Sequence, residues 1–395
     1  MNIFKHTILF FSLVLASISV KAEINIVDSV PNSSISLLIC TPGSEIYELE
    51  GHAALRIIHP SYGDFIINWG LFDFNAPNFV YRFTKGETDY QAGAYPTDLF
   101  IKQYRNEGRG IIEIPVKLIP EQIEAVIALA TDNLKPENRV YHYNYVYDNC
   151  STRPLAIIQQ ASGDSLVTCF PDKFSDGQTF RSLMTYFHRN YPWYQFGIDL
   201  ALGSGIDKKI TSAEATFAPA MVADLIRNDS RFSEPVMILH ETDGGPENPT
   251  PWYFTPLFVC WLLFTVSIIV TVVENRHTNL SRWFDRIYYL LVSLAGMVLT
   301  FLIFVSIHEA TSPNWLYLWL NPLALIVVIG TGINRLTPLV LLYQIVNFAS
   351  LIALCIIAAI GIQSLNQAFY PLIIIDLLRS ANYIYKNKIC LLRKN

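Results

Sequence analysis

The chain has 395 residues, 52% of them hydrophobic, with 28 Lys and Arg against 33 Asp and Glu. Residues 23–250 alone carry 17 basic against 29 acidic side chains, which argues against a nucleic-acid partner, because nothing there would neutralise phosphates. The apolar excess lies almost wholly beyond Tyr253, which excludes a protein that is water-soluble throughout.

The first segment, "MNIFKHTILFFSLVLASISVKAE", has a basic Lys5, an apolar run over 8–18 and the small-x-small exit Val20-Lys21-Ala22. This reads as a secretory signal peptide over residues 1–22, too short to serve as a spanning helix of about 20 residues. Residues 23–239 then mix charge, Gly, Pro and aromatics as an exported soluble domain does. Of six cysteines, Cys40, Cys150 and Cys169 fall in this domain. Three cysteines leave at least one free thiol, whether or not Cys40 and Cys169 pair. No Cys/His spacing predicts structural zinc, and neither a metal nor a cofactor is expected.

"TPGSEIYELEGH" is a turn and loop. "EGHAALRIIHP" (50–60) alternates, with His52, Ala54, Arg56 and Ile58 on one face and Ala53, Leu55 and Ile57 on the other. "SYG" turns the chain and "DFIINWGLFDF" runs back, which predicts a hairpin with Asn68 opposite His52 or one pair away. "IPEQIEAVIALATDNL" (119–134) has the stripe Ile123, Val126, Ile127 and Ala130 of an amphipathic scaffold helix. In "YNYVYDNCSTRP" (143–154) an aromatic extended run meets the caps Asp148 and Asn149, and an apolar pattern continues to Gly163. Cys150 is thus expected in the first turn of a helix, where peptide dipoles lower a thiol's pKa and make it a nucleophile. A small buried residue would occupy the same place. The expected base is His52, with His142 as its rival. Asn68 is expected to hold the second ring nitrogen, with His59, at the strand end and expected to be exposed, behind it. The order of strands and helices predicts an α+β domain.

"HETDGGPENPTP" opens the linker, residues 240–252. Apolar stretches near 253–273, 287–307, 315–333, 338–362 and 369–385 predict a bundle of about five membrane helices over 253–385, with a tail at 386–395. Arg276, Arg282, Arg286, Arg335 and the basic tail lie in alternate loops and in the tail, whereas "HEATSPN" and "QSLNQA" hold no Lys or Arg. The positive-inside rule puts the exported domain and these two loops on the same, outer face. Asn321 and Asp376 fall about 10 Å below that face and are expected to line a groove or to act as helix–helix glue, Asp376 pairing with Arg379.

"LLICTPGSEIYELEGHAALRI", "INWGLFDFNAPNFVYRFTKGETDY" and "YHYNYVYDNCSTRP" resemble the signatures of the Lnb-type lipoprotein N-acyltransferase family, as does "HEATSPNWLYLWLNPL" (308–323). The resemblance covers most of 35–160 and the membrane half; residues 161–250 add little. It implies a permuted papain-like (NlpC-type) thiol domain ahead of the membrane bundle, the His strand preceding the Cys helix. It implies Cys150 as acyl-accepting nucleophile and His52 as base. The expected partners are a phospholipid acyl donor, a diacylated lipoprotein acceptor and the bilayer of a bacterial inner membrane, with the thiol domain in the periplasm. His308, Glu309, Asn314, Asn321 and Asp376 are the expected substrate-binding residues. A cell-wall peptidase or amidase of the same thiol fold, and a non-enzymatic membrane sensor, are the alternatives.

Overall fold

The computed structural model describes residues 33–174, 177–242 and 250–392, with side chains to Asn387. The signal-peptide segment, and most of the linker, lie outside the described residues.

Chain order in the first half is β1 (Ser34–Cys40), β2 (His52–His59), β3 (Gly63–Leu71), α1 (Phe79–Lys85), β4 (Asp89–Pro96), α2 (Thr97–Asn106), β5 (Ile111–Val116), α3 (Pro120–Asp132), β6 (Val140–His142), α4 (Thr152–Ser162), α5 (Phe180–Phe187), α6 (Pro192–Ala201), α7 (Val222–Leu225) and β7 (Val236–Leu239). The strands form one antiparallel sheet in the order β6-β4-β3-β2-β1-β5-β7. The expected hairpin is β2–β3, registered with Ala54 opposite Asn68. The period-2 alternation buries Ala53, Leu55, Ile57, Ile67 and Trp69 against α3 and α4. The opposite face buries Leu38, Ala54 and Ile66 against Phe100 and Tyr104 of α2. The central strands are therefore buried on both faces.

The segment after α4, which the sequence left without a role, contributes Phe180, Leu183, Met184 and Phe217 to a separate core. This core grips the turn before α4. Asn149 Nδ2 donates to Phe217 O at 2.7 Å and Ser151 Oγ to Thr216 O at 2.6 Å.

The second half is helical: α8 (Pro256–Val273), α9 (Thr278–Phe304), α10 (Leu325–Gly330), α11 (Thr337–Ala359) and α12 (Phe369–Leu392). Among the described residues three helices are long and apolar enough to cross a membrane, those over 256–273, 278–304 and 334–359. The expectation of a continuous helix over the third stretch needs correction, because that stretch is short turns plus the six-residue α10. Asn321 caps a turn by accepting from Leu323 N, and Pro322 has no N–H to continue a helix. Hydropathy does not register such a break. A Cβ at Gly296 would come 2.5 Å from the Asn321 backbone, so glycine lets α9 press directly on the break. The last helix runs to Leu392 and takes in residues 386–392, which the sequence assigned to a tail.

The halves are pinned to one another by backbone. Gly203 N donates to Ala310 O at 2.8 Å, Ile307 N to Lys85 O at 2.9 Å, and Asn314 Nδ2 to Leu200 O at 3.0 Å.

Candidate active site

β2 begins at His52, immediately after Gly51, whose φ of 79° is a left-handed conformation that glycine adopts without strain. His52 Nε2 lies 2.6 Å from Asn68 Oδ1. Asn68 Nδ2 donates to the Tyr95 hydroxyl at 2.8 Å, which fixes the amide so that its oxygen faces the ring. Nε2 therefore carries the proton, and Nδ1 is left with its lone pair.

Cys150 lies one residue before Ser151, the cap of α4, so it precedes the helix instead of sitting in its first turn. Asn149 supplies the expected capping, its Oδ1 accepting from Ser151 N at 2.9 Å and Thr152 N at 3.0 Å. The β2–β3 ladder ends at Ala54–Asn68, and the N–H of Ala53 is directed to the sulfur. The Tyr143 hydroxyl and the N–H of Cys150 itself also point there. Gly70 lets the chain pass close to both Tyr143 and Cys150. A Cβ on it would lie 3.2 Å from the Tyr143 ring and 3.9 Å from Cys150 Cβ. The sulfur thus sits at the sheet end where β2 starts, against the residue that follows His52. No hydrogen bond joins thiol to imidazole among the described residues.

Burial sets the electrostatics. Cys150 is 6% exposed, and desolvation pushes its thiol above its ordinary value, outweighing the three donors and the nearby Arg109. This corrects the expectation of a lowered thiol. The helix start favours an anion, but taking the sulfur out of water costs more. Burial also pushes His52 down to about 4, against the opposing hydrogen bond that the ring donates to Asn68. The two shifts leave both the thiol and the imidazole neutral at rest.

His142 is exposed on edge strand β6, paired with Asp89. His59 ends β2 at the opposite side of the sheet from His52. It is buried where the sequence suggested exposure, because it stacks on Tyr62 and accepts from Ser61 N. His308 Nε2 meets Phe83 O at 2.8 Å and Glu309 accepts from Asn144 at 3.2 Å, so both tie the membrane half to the thiol domain. Asn314 does the same through Leu200. Asp376 is fully buried and accepts from the Tyr289 hydroxyl at 2.8 Å and Asn347 Nδ2 at 2.7 Å, in a network joining α9, α11 and α12. Its expected partner Arg379 instead pairs with Asp285 at 2.7 Å. Neither Asn321 nor Asp376 lines either cavity described.

Three nearby residues escaped the sequence reading. Tyr143 is one, in an aromatic run that hinted at it. Arg109 is 3% exposed and bridges Glu48 at 3.0 Å, which anchors the loop before β2. Glu50 is buried, 3.6 Å from His188 Nε2, and burial raises its carboxyl to about 8. His188 Nδ1 bonds Gln195 Oε1 at 2.7 Å and so holds the ring proton, which leaves Nε2 as an acceptor facing the carboxyl.

The folded Glu50 keeps its proton to about 8, whereas the unfolded group releases it near 4.5. Its stabilisation is complete below the lower value and is lost as pH rises through the upper one. Glu50→Gln cannot ionise, so between about pH 5 and about pH 9 its Tm should fall roughly 5–10 °C less than that of the wild type. Thermal unfolding in detergent at both pH values reads this, and equal losses would mean the carboxyl is ionised throughout.

Two family models match: the Lnb N-terminal periplasmic domain over residues 25–184, and the Lnb transmembrane domain over residues 248–389. No curated protein and no solved structure matches the chain. The first model takes in β1 to β6, His52, Asn68 and Cys150; the second takes in α8 to most of α12. The chain belongs to the Lnb family, a periplasmic α/β domain joined to a helical transmembrane domain.

Proposed function

We propose that this is a thiol-dependent lipoprotein N-acyltransferase of the inner membrane, acting on its periplasmic side. The domain is read as a permuted papain-like fold, because the histidine strand β2 precedes the cysteine turn and the orienting amide stands on the strand paired with β2. The observation that carries the reading is the 2.6 Å contact between His52 Nε2 and Asn68 Oδ1 at the same sheet end as the Cys150 sulfur. It leaves Nδ1 as the one basic ring atom beside a buried thiol.

In the first half-reaction the thiol gives its proton to His52 Nδ1 as sulfur attacks the carbonyl carbon of a phospholipid ester. The tetrahedral oxyanion is met by N–H groups at the site, that of Cys150 among them. The C–O bond then breaks, the imidazolium returns its proton to the departing glycerol oxygen, and a lysophospholipid leaves. The acyl group stays as a thioester. In the second half the neutral α-amine of a diacylglyceryl-cysteine attacks the thioester carbon. The C–S bond breaks, and the amine's proton passes through His52 to the sulfur. An amide forms and the thiol is restored. Both lipids live in a bilayer, which accounts for tying a thiol domain so tightly to a membrane domain. On this reading His308, Glu309 and Asn314 set the height of the thiol over the bilayer, and Asn321 and Asp376 keep the bundle's shape.

The test is intact-protein mass spectrometry after incubation with a chain-labelled phospholipid. The expected result is one labelled acyl group on Cys150 with lysophospholipid released, then transfer of the label to a diacylated lipopeptide bearing a free α-amine. Labelling by a peptidoglycan peptide, with none by phospholipid, would point to the peptidase reading instead.

A further inference from the structure

α1 is a seven-residue helix with no buried residue, in a segment where Phe74, Val80, Tyr81 and Phe83 stand open to the surroundings. Nothing in the thiol domain's core explains this apolar surface. The helix is nevertheless held firmly, because its last turn is fastened to the chain that leaves α9. Ser306 Oγ donates to Thr84 O at 2.9 Å, alongside the bonds from Ile307 and His308. Between α1 and α9 lies an open groove of about 730 Å³, lined by Phe74, Phe79, Val80 and Thr84 on one wall and by Val298 and Phe301 on the other. The second wall belongs to a membrane-crossing helix, so the groove opens on hydrocarbon.

A row of rings leads from the groove to the sulfur. Phe79 stacks on Phe72 with centroids 5.9 Å apart, Phe72 meets Tyr90 at 5.2 Å, and Tyr90 stacks on Tyr143 at 4.4 Å. The Tyr143 hydroxyl meets the Cys150 thiol. A chain of aromatic contacts therefore runs from the groove beside α9 to the nucleophile.

We propose that the groove between α1 and α9 holds a fatty acyl chain of the glycerophospholipid donor, and that the row Phe79, Phe72, Tyr90 and Tyr143 guides its ester to Cys150. This rests on the acyl-transfer reading and names the donor's site within it. The chain enters sideways from the outer leaflet, so each further methylene adds buried contact along the groove.

The test compares thioester formation from a palmitoyl phospholipid in vesicles with that from a water-soluble dihexanoyl phospholipid. Ala76→Trp fills the groove from the α1 side and Val298→Trp from the α9 side. Each should lower the long-to-short rate ratio by about tenfold, the equivalent of roughly two methylenes of lost contact. The ratio is internal to each preparation, so partial misfolding does not imitate the effect. An unchanged ratio in both variants overturns the proposal. Should the wild type form no thioester with either donor, the acyl-transfer reading fails on its own. The groove is then decided with Cys150→Ser protein and a phospholipid photoreactive in its chain. Cross-links within residues 72–84 that Ala76→Trp abolishes support the groove, and their absence removes it.

Discussion

Replacing Cys150 with serine should give a protein that inserts and folds but takes no acyl group from phospholipid. The hydroxyl is smaller than the thiol, and the N–H groups of Ala53 and Cys150 with the Tyr143 hydroxyl still offer it partners. A buried hydroxyl with its hydrogen bonds made costs about 1 kcal/mol or less, so Tm should stay within a few degrees of the wild type. The chemistry should not survive. A thiol, even one pushed up by burial, loses its proton far more readily than a hydroxyl, and the base beside it is a ring held down to about 4. Loss of a nucleophile of this kind costs about 10⁴–10⁶-fold in rate. Intact mass after incubation with chain-labelled phospholipid checks the result. A serine variant that retains more than about a hundredth of the rate would put the nucleophile elsewhere. Cys40 is a poor substitute, since burial pushes its thiol up to about 12.

The parts of this site that were legible in the sequence are those fixed by short-range periodicity. Alternation over 52–58 and the turn at Ser61–Gly63 set the hairpin register, and register alone carries Asn68 to the ring of His52. The Asn149 cap and Gly163, with φ of 78°, bound the cysteine helix for the same local reason. What stayed hidden depends on distance along the chain. The grip of Phe217 and Thr216 on the cysteine turn, and the tie of Phe83 to His308 across 225 residues, have no local signal. The thiol's direction of shift was misjudged because a helix end is visible in sequence and burial is not. In the membrane half, hydropathy found apolar stretches but could not tell a continuous helix from one broken into short turns. Asn321 followed by Pro322 was the available clue, and its proper reading was a cap rather than a polar group in a groove.

His52→Ala should cost about 10²–10⁴-fold in thioester formation, the usual worth of a positioned base. Asn68 allows a sharper test than deletion. In the wild type the hydrogen bond donated to Asn68 raises the ring against the desolvation that lowers it to about 4, so kcat/KM of the first half-reaction should keep its plateau down to about pH 4 before falling on the acid side. Asn68→Asp places a carboxylate where the amide oxygen stands. An anion favours the imidazolium, so the ring's pKa rises and the acid limb moves up toward neutrality. Asn68→Ala removes the opposing bond and leaves desolvation alone, so the limb moves down while the plateau drops, because the ring loses the partner that fixes its tautomer. The two substitutions therefore displace the limb in opposite directions, an outcome that damage to the fold cannot produce. A limb that stays near 4 in the aspartate variant would mean that another group titrates, and His188, which burial also pushes down to about 4, is the buried candidate.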